Sequence, residues 1–298
     1  MREFRLSGSD RTFYIIITLI LAVVLAAVAI PLIYTLACSF SSSRAVVSGR
    51  VFLWPVEPTL LGYQRIFENP AIIGGYLNSI FYTISGTLIS LFLTLTCGYA
   101  LSRPDFRLRN AFMGIFAFTM LFGGGLIPFY MVVSNLGILN TRWAIILPGS
   151  LSVMNMIVTR TFFQSTIPQE LLDSARVDGC NDFRFFVSIA LPLSGAIIAV
   201  MALFYAVGLW NSYFFALIFL HNTKLFPLQL ILRQILVQNK VDVTMLTASS
   251  AEDISARQSL FELLKYSLIV VASAPMMIIY PFVQKYFVKG VMIGAIKG

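Results

Sequence analysis

Apolar residues run along this chain in long blocks rather than at helical or strand spacing. From Phe13 to Ser43 there is no Lys, Arg, Asp or Glu, and charge-free runs also cover 69–102, 110–141, 143–159, 185–223 and 266–284. Most of these exceed or approach the roughly 20 residues that cross a bilayer as a helix. The pattern predicts an all-α, polytopic membrane protein with six transmembrane helices, at about 13–38, 76–101, 111–134, 143–163, 190–219 and 264–285. All six fall in a single transmembrane domain over 1–298, a helical bundle because lipid leaves no partner for the edge of an open sheet.

Within these runs the exceptions carry information. In the second span Ser79, Thr83, Gly86, Thr87, Ser90 and Thr94 recur at three- or four-residue intervals, a spacing that lets two helix backbones approach closely in lipid. In the third, Gly123, Gly124 and Gly125 with Pro128 predict an interruption of the helix. No Lys-Ser/Thr follows those glycines, so they are not a phosphate loop. The stretch 39–75 shows turn residues and no helical period, and 220–262 forms a longer polar loop.

Composition agrees with the pattern. Hydrophobic residues make up 58% of the chain, more than a water-facing surface tolerates. A net charge of +8 raises the question of nucleic acid, but no basic stripe gathers it. Placing both termini in the cytoplasm puts twelve of the 21 basic residues inside, with Arg103, Arg107 and Arg109 clustered in one short loop. The basic residues that precede the first apolar run, and the length of that run, argue for a retained span rather than a cleaved export signal.

Catalytic chemistry is not in evidence. Cys38, Cys97 and Cys180 have no metal or redox spacing, and His221 is the single histidine. No metal ligand set, no catalytic residue and no bound cofactor is expected on this chain. No span centre carries a carboxylate, lysine or arginine, which a self-sufficient ion-coupled carrier needs for its coupling ion. Energy for transport is then expected from a separate subunit.

One interval concentrates the charge that the spans lack: STIPQELLDSARVDGCNDFRFF, residues 165–186. A helix is expected there, started by a capping box of Thr166 with Gln169 or by Pro168 in the first turn. Gly179 is expected to close it in a left-handed cap. Leu171, Leu172 and Ala175 share one side of that helix, while Glu170 and Asp173 lie on another. Such a helix is either an ordinary interfacial element or a docking element.

The segment DSARVDGCNDFRFFVSIALP resembles the EAA loop of permease subunits in binding-protein-dependent ABC importers. The family pattern is Glu-Ala-Ala, three residues, glycine, nine residues, then Ile-x-Leu-Pro. Asp173, Ser174 and Ala175 take the first place, Gly179 the glycine, and Ile189, Leu191 and Pro192 the close. Asp173 and Ser174 depart from the consensus while keeping the acid. GYQRIF, NSIFYT, GYALSR, MLFGGGLIP, PLQLILR and KGVMIGAIKG further resemble the carbohydrate-uptake branch, the group of the maltose importer's second permease. Within it the texture is similar to permeases for oligosaccharides of alginate or pectin.

The resemblance implies a subunit of the bacterial cytoplasmic membrane that pairs with a second, different permease. It implies two ATPase subunits, which hold the ATP and Mg, and an extracytoplasmic sugar-binding protein that delivers an oligosaccharide. It implies ATPase coupling in a cytoplasmic loop over about 164–189, through a coupling helix and Glu170, Asp173, Ser174, Ala175, Asp178, Gly179, Ile189, Leu191 and Pro192, with the C-terminal glycines Gly290, Gly294 and Gly298 reaching the ATPase. Trp210, Asn211 and Tyr213, near the outer end of the fifth span, have the aromatic and amide character of a sugar path. A permease for a non-sugar solute and a secondary carrier are the alternatives.

Overall fold

The computed structural model describes residues 8–245, 261, 264–281 and 284. The C-terminal glycines 290, 294 and 298 and the middle of the 220–262 loop lie outside them. The described chain is helical: α1 (Gly8–Ser39), α2 (Ser43–Val47), α3 (Leu61–Glu68), α4 (Pro70–Ser102), α5 (Arg109–Leu121), α6 (Leu126–Asn135), α7 (Trp143–Ile146) and α8 (Val153–Thr166). Then come α9 (Gln169–Val177), α10 (Asp182–Phe185), a π-helical turn (Phe186–Ala190), α11 (Leu191–Leu193), α12 (Gly195–Trp210), α13 (Phe214–Phe219), α14 (Leu228–Met245) and α15 (Leu264–Pro281).

Three of these, α1, α4 and α15, are long and apolar enough to cross a membrane, and two bent pairs raise the number to five if each is one span. The first pair is α5 and α6, bent by 119° at the triple glycine, where Gly125 has a φ of +80°. Pro128 falls in the first turn of α6, which tolerates the missing N–H, so the glycines alone make the break. The second pair joins 182–193 to α12 at 82°. The interval 143–163 is not one helix: α7 and α8 are separated by residues 147–152, around Pro148. Helices also occur where only loop was expected, at α2 and α3, and α4 begins at Pro70 rather than 76.

The chain forms two compact units. In the first, 1–69 with 235–274, the end of α1 packs Ala37 and Cys38 against Ala45, Val46 and Val51. Ser42 caps α2 through the Ala45 N–H and donates to Glu57, which also pairs with Arg50 at 2.8 Å. The large apolar side chains of α1 from Phe13 to Leu32 are exposed, a surface that suits lipid.

In the second unit α4 is the central post, with α8 and α12 packed along it. The small-residue stripe does what its spacing predicts. A Cβ at Gly86 would stand 2.6 Å from Leu209 Cδ1, and beyond the stripe one at Gly98 would stand 2.9 Å from Thr159 Cγ2 and 3.2 Å from the Arg160 nitrogen. Ser79, Ser90 and Thr94 are fully buried. At the other end of α4, Asn78 donates to the Lys224 and Phe226 carbonyls and Tyr82 to that of Leu225, while the Leu228 N–H donates to Ser79. These bonds strap 224–228 onto the helix and satisfy backbone groups that no secondary structure pairs.

Candidate functional site

The charged interval 165–186 becomes a helix–turn–helix laid against one end of α4. α8 closes at Thr166, and Pro168, extended at ψ 146°, is the residue that opens α9. The Thr166 hydroxyl is buried and makes no bond, so the expected capping box does not form, and Pro168 stands at the N-cap, one residue before the first turn in which it is expected. Proline costs nothing at this position, since its missing N–H would have had no helical partner.

α9 ends in a Schellman motif. The Cys180 N–H donates to the Ala175 carbonyl at 2.9 Å and the Gly179 N–H to Arg176 at 3.0 Å, with Gly179 at φ +75°. This is the left-handed cap expected at Gly179, and it satisfies two carbonyls the helix would otherwise leave open. Asn181 starts α10 at once, its Oδ1 accepting the Arg184 N–H at 2.8 Å.

The two faces of α9 have different surroundings. Leu172 and Ala175 are buried in a cluster with Leu95, Phe163, Phe185 and Ala190, on which Leu171, Ile189 and Leu191 also pack. Ala175 therefore faces the chain's own core, where its small side chain brings α9 close to the body. Glu170, Asp173, Ser174 and Asp178 are exposed on the outer side. There Gln169 donates to Asp173 at 3.3 Å and the Ser174 hydroxyl to the Glu170 carbonyl at 2.9 Å. Two large apolar side chains flank the turn with nothing covering them, Val177 at 88% exposed and Phe183 at 76%. The outer side of α9 is thus acidic and exposed, with a bare apolar residue on either side of its end.

Ile189, Leu191 and Pro192 occupy the joint between this surface and α12. Pro192 cannot donate to the carbonyl of Ser188, and the turn just before it is π-helical, a register that accommodates the missing bond. The buried Ser194 hydroxyl donates to the Ala190 carbonyl at 2.7 Å, and the chain bends there into α12. The three motif residues thus lead into that bend, with Ile189 and Leu191 partly buried and Pro192 exposed.

A group of four charges, which no local pattern indicated, ties the site to the α4–α5 loop. Arg103 holds Asp105 through both Nε (3.1 Å) and Nη2 (2.9 Å), and its Nη2 also lies 3.3 Å from Asp182. Arg176, on α9, reaches the same two carboxylates at 2.6 and 3.4 Å. Arg103 is itself held by the Tyr99 hydroxyl at 3.2 Å and is only 11% exposed. Arg103 above all holds the Asp105 carboxyl well below the usual carboxylate range; desolvation pushes it upward, and Arg176 adds a further downward pull. Sequence shows each of these residues but not their pairing, because 71 positions separate Asp105 from Arg176.

The three residues expected on a sugar path occupy different settings. Trp210 is buried, its ring edge-on to Tyr76 at 5.5 Å. Asn211 caps α12, its amide donating to the Val207 carbonyl at 2.9 Å, and Tyr213 lies half-exposed beneath the Arg233 guanidinium. Among the described residues no cluster of three or more His, Cys, Asp or Glu is placed to hold a metal.

Residues 86–293 match the family described as the binding-protein-dependent transport system inner membrane component. Protein LplC of Bacillus subtilis (strain 168) is 39% identical over 97% of this chain and 96% of its own. The polygalacturonan/rhamnogalacturonan transport system permease protein YtcP of the same organism is 40% identical over 90% of this chain and 92% of its own. A crystal structure of a bacterial ABC transporter involved in the import of the acidic polysaccharide alginate contains a chain that superposes with a TM-score of 0.85 at 34% identity. The match covers 96% of this chain and all of that one.

Proposed function

Because the chain belongs to the family of binding-protein-dependent transport system inner membrane components, it is a permease subunit of an ABC importer, and we propose that it imports oligosaccharides cut from acidic polysaccharides of the pectin or alginate kind. The substrate class follows from the two relatives whose own substrates are such polymers, both of them similar to this chain over almost their whole length.

The observation that carries the coupling role is the split character of α9: an inner face buried in the chain's core and an outer face of Glu170, Asp173, Ser174 and Asp178 open to a partner. On this reading a separate ATPase, which holds ATP and Mg, seats on that face and on Val177 and Phe183. Its nucleotide-driven closure moves α9, and the bend at 189–194 passes the movement into α12. Transport is then a population shift between inward- and outward-facing states, biased by the nucleotide state of the ATPase. No cofactor is assigned to this chain.

The assembly proposed has a second, different permease, two ATPase subunits and an extracytoplasmic sugar-binding protein. The protein sits in the cytoplasmic membrane, with both termini and α9 on the cytoplasmic side and Gly290, Gly294 and Gly298 extending toward the ATPase. Support for the orientation is the gathering of Arg103, Arg107, Arg109, Arg160, Arg176 and Arg184 at one end of the spans.

Two measurements test this. Purification of the tagged chain from its native membrane should bring down one P-loop ATPase copy per permease chain and a second permease. A strain lacking the chain should lose uptake of labelled oligogalacturonate or oligoalginate and keep uptake of neutral maltotriose. Loss of neutral but not acidic oligosaccharide uptake sinks the substrate class. A chain that purifies alone, even after cross-linking, sinks the importer assembly.

A further inference from the structure

We propose that the closed square of Arg103, Asp105, Arg176 and Asp182 is a positioning device that sets the place of α9 relative to the end of α4, so that movement of one is carried to the other. The proposal rests on the coupling role of α9 given above and assigns that role's geometry to residues outside the loop's own motif.

Three observations carry it. First, the apolar packing of Leu172 and Ala175 against Leu95 leaves a gap beside it at the end of α4. A cavity of about 290 Å³ lies between the first turns of α9, at Pro168, Gln169 and Leu172, and the end of α4, at Tyr99, Ser102 and Arg103. The square is the contact beside that gap. Second, its connectivity is closed: each carboxylate accepts from both arginines, and each arginine reaches both carboxylates, at 2.6 to 3.4 Å. An isolated exposed ion pair contributes little, but a network with a bidentate arginine defines a geometry. Third, one corner is anchored. Arg103 is almost buried, bonded to Tyr99, and joined to Asp105 two residues on, so the α4 end of the square has contacts of its own apart from α9. Arg176 and Asp182 stand on either side of the Gly179 turn, so the square grips both arms of that turn.

Two sides of the square, Arg103–Asp182 and Arg176–Asp105, join the end of α4 and its following loop to the helix–turn–helix, while the other two lie within one segment each. A rigid-body shift of α9 then moves Asp105 with it, and through Arg103 the end of α4. Removing both negative charges while keeping side-chain shape leaves two arginines facing each other, and the link is lost.

The test uses the full chain with nitroxides at Asn110 and Gln169, on α5 and at the start of α9, after replacing the three cysteines by alanine. Pulsed dipolar spectroscopy reads the distance distribution in the chain alone and in the complex with its ATPase, before and after trapping with MgATP and vanadate. In the unaltered square we expect a narrow distribution that shifts on trapping. Asp105→Asn with Asp182→Asn should broaden it and reduce the trapped shift by roughly fivefold or more, with the ATPase still bound. Arg176→Lys, which keeps the charge, should retain most of the shift. A double variant with the original width and the full shift overturns the proposal, as does loss of the ATPase from it with the width unchanged. If no ATPase accompanies the unaltered chain, the coupling role fails instead, and the width in the chain alone still decides whether the square positions α9. Should the double variant not fold, Arg176→Gln, at a half-exposed corner, carries the same comparison.

Discussion

The Tyr205 phenol lies 2.6 Å from the Thr94 hydroxyl in the buried space between α12 and α4. The same phenol oxygen accepts the Ser152 N–H at 3.2 Å, and Ser152 is the cap of α8. One side chain therefore joins three helices. Tyr205→Phe removes both bonds and leaves a part-buried N–H and a buried hydroxyl without this partner. We expect a loss of about 1–2 kcal/mol, read as a lower unfolding temperature in detergent, with the helical content unchanged.

The contact of Gly98 with α8 makes a sharper test of packing. Gly98→Ala places a methyl 2.9 Å from Thr159 Cγ2, and overpacking of this kind costs about 1–3 kcal/mol. Thr159→Ser removes the opposing methyl while keeping the hydroxyl that donates to Asn155. A double-mutant cycle on thermal stability should show the pair more stable than Gly98→Ala alone. Additive losses would mean that the clash is with the Arg160 backbone rather than with Thr159.

At Gly179 the strain is conformational, since a Cβ there would meet nothing within 4 Å. Gly179→Ala should cost about 1 kcal/mol for the left-handed backbone, and Gly179→Asn less. Gly179→Pro also removes the N–H that bonds Arg176 and should unwind the turn. Amide hydrogen exchange at 175–182 orders the three variants.

Trp210 is 2% exposed, so its substitution acts on the fold before it acts on any sugar. Trp210→Ala should cost about 3–5 kcal/mol and lower the amount of folded protein in the membrane, while Trp210→Phe keeps most of it. Asn211 is exposed and is the cleaner probe of a substrate path. Altered uptake selectivity in Asn211→Ala, with stability intact, would place a sugar there.

The pH dependence of the square has a definite sign. Asp105 titrates below its ordinary value of 3.8, first through Arg103 and then through Arg176. Its contribution is complete above that ordinary value and falls away as the pH drops through the lower folded value. The stability difference between the natural chain and Asp105→Asn should then be level from about pH 5 to 8 and shrink only in stronger acid. A difference that falls between pH 8 and 6 would assign the effect to another group.

What the sequence determined by itself is what neighbouring residues settle among themselves. The charge-free runs place the chain in lipid, the triple glycine breaks a span, Gly179 caps α9, and the small residues of α4 admit close neighbours. Each depends on backbone conformation or side-chain size within a few turns, and the EAA spacing likewise lies within twenty residues. The tertiary structure decided the rest. It turned Ala175 toward the core rather than outward, buried Trp210 against Tyr76, divided 143–163 into two helices and left Val177 and Phe183 bare. It also joined Arg103 to Asp182 and Arg176 to Asp105, across 79 and 71 residues. A helical period shows which residues share a face but not what that face meets. An ion pair needs only two opposite charges at bonding distance, and with several of each available, only the packed helices select which ones meet.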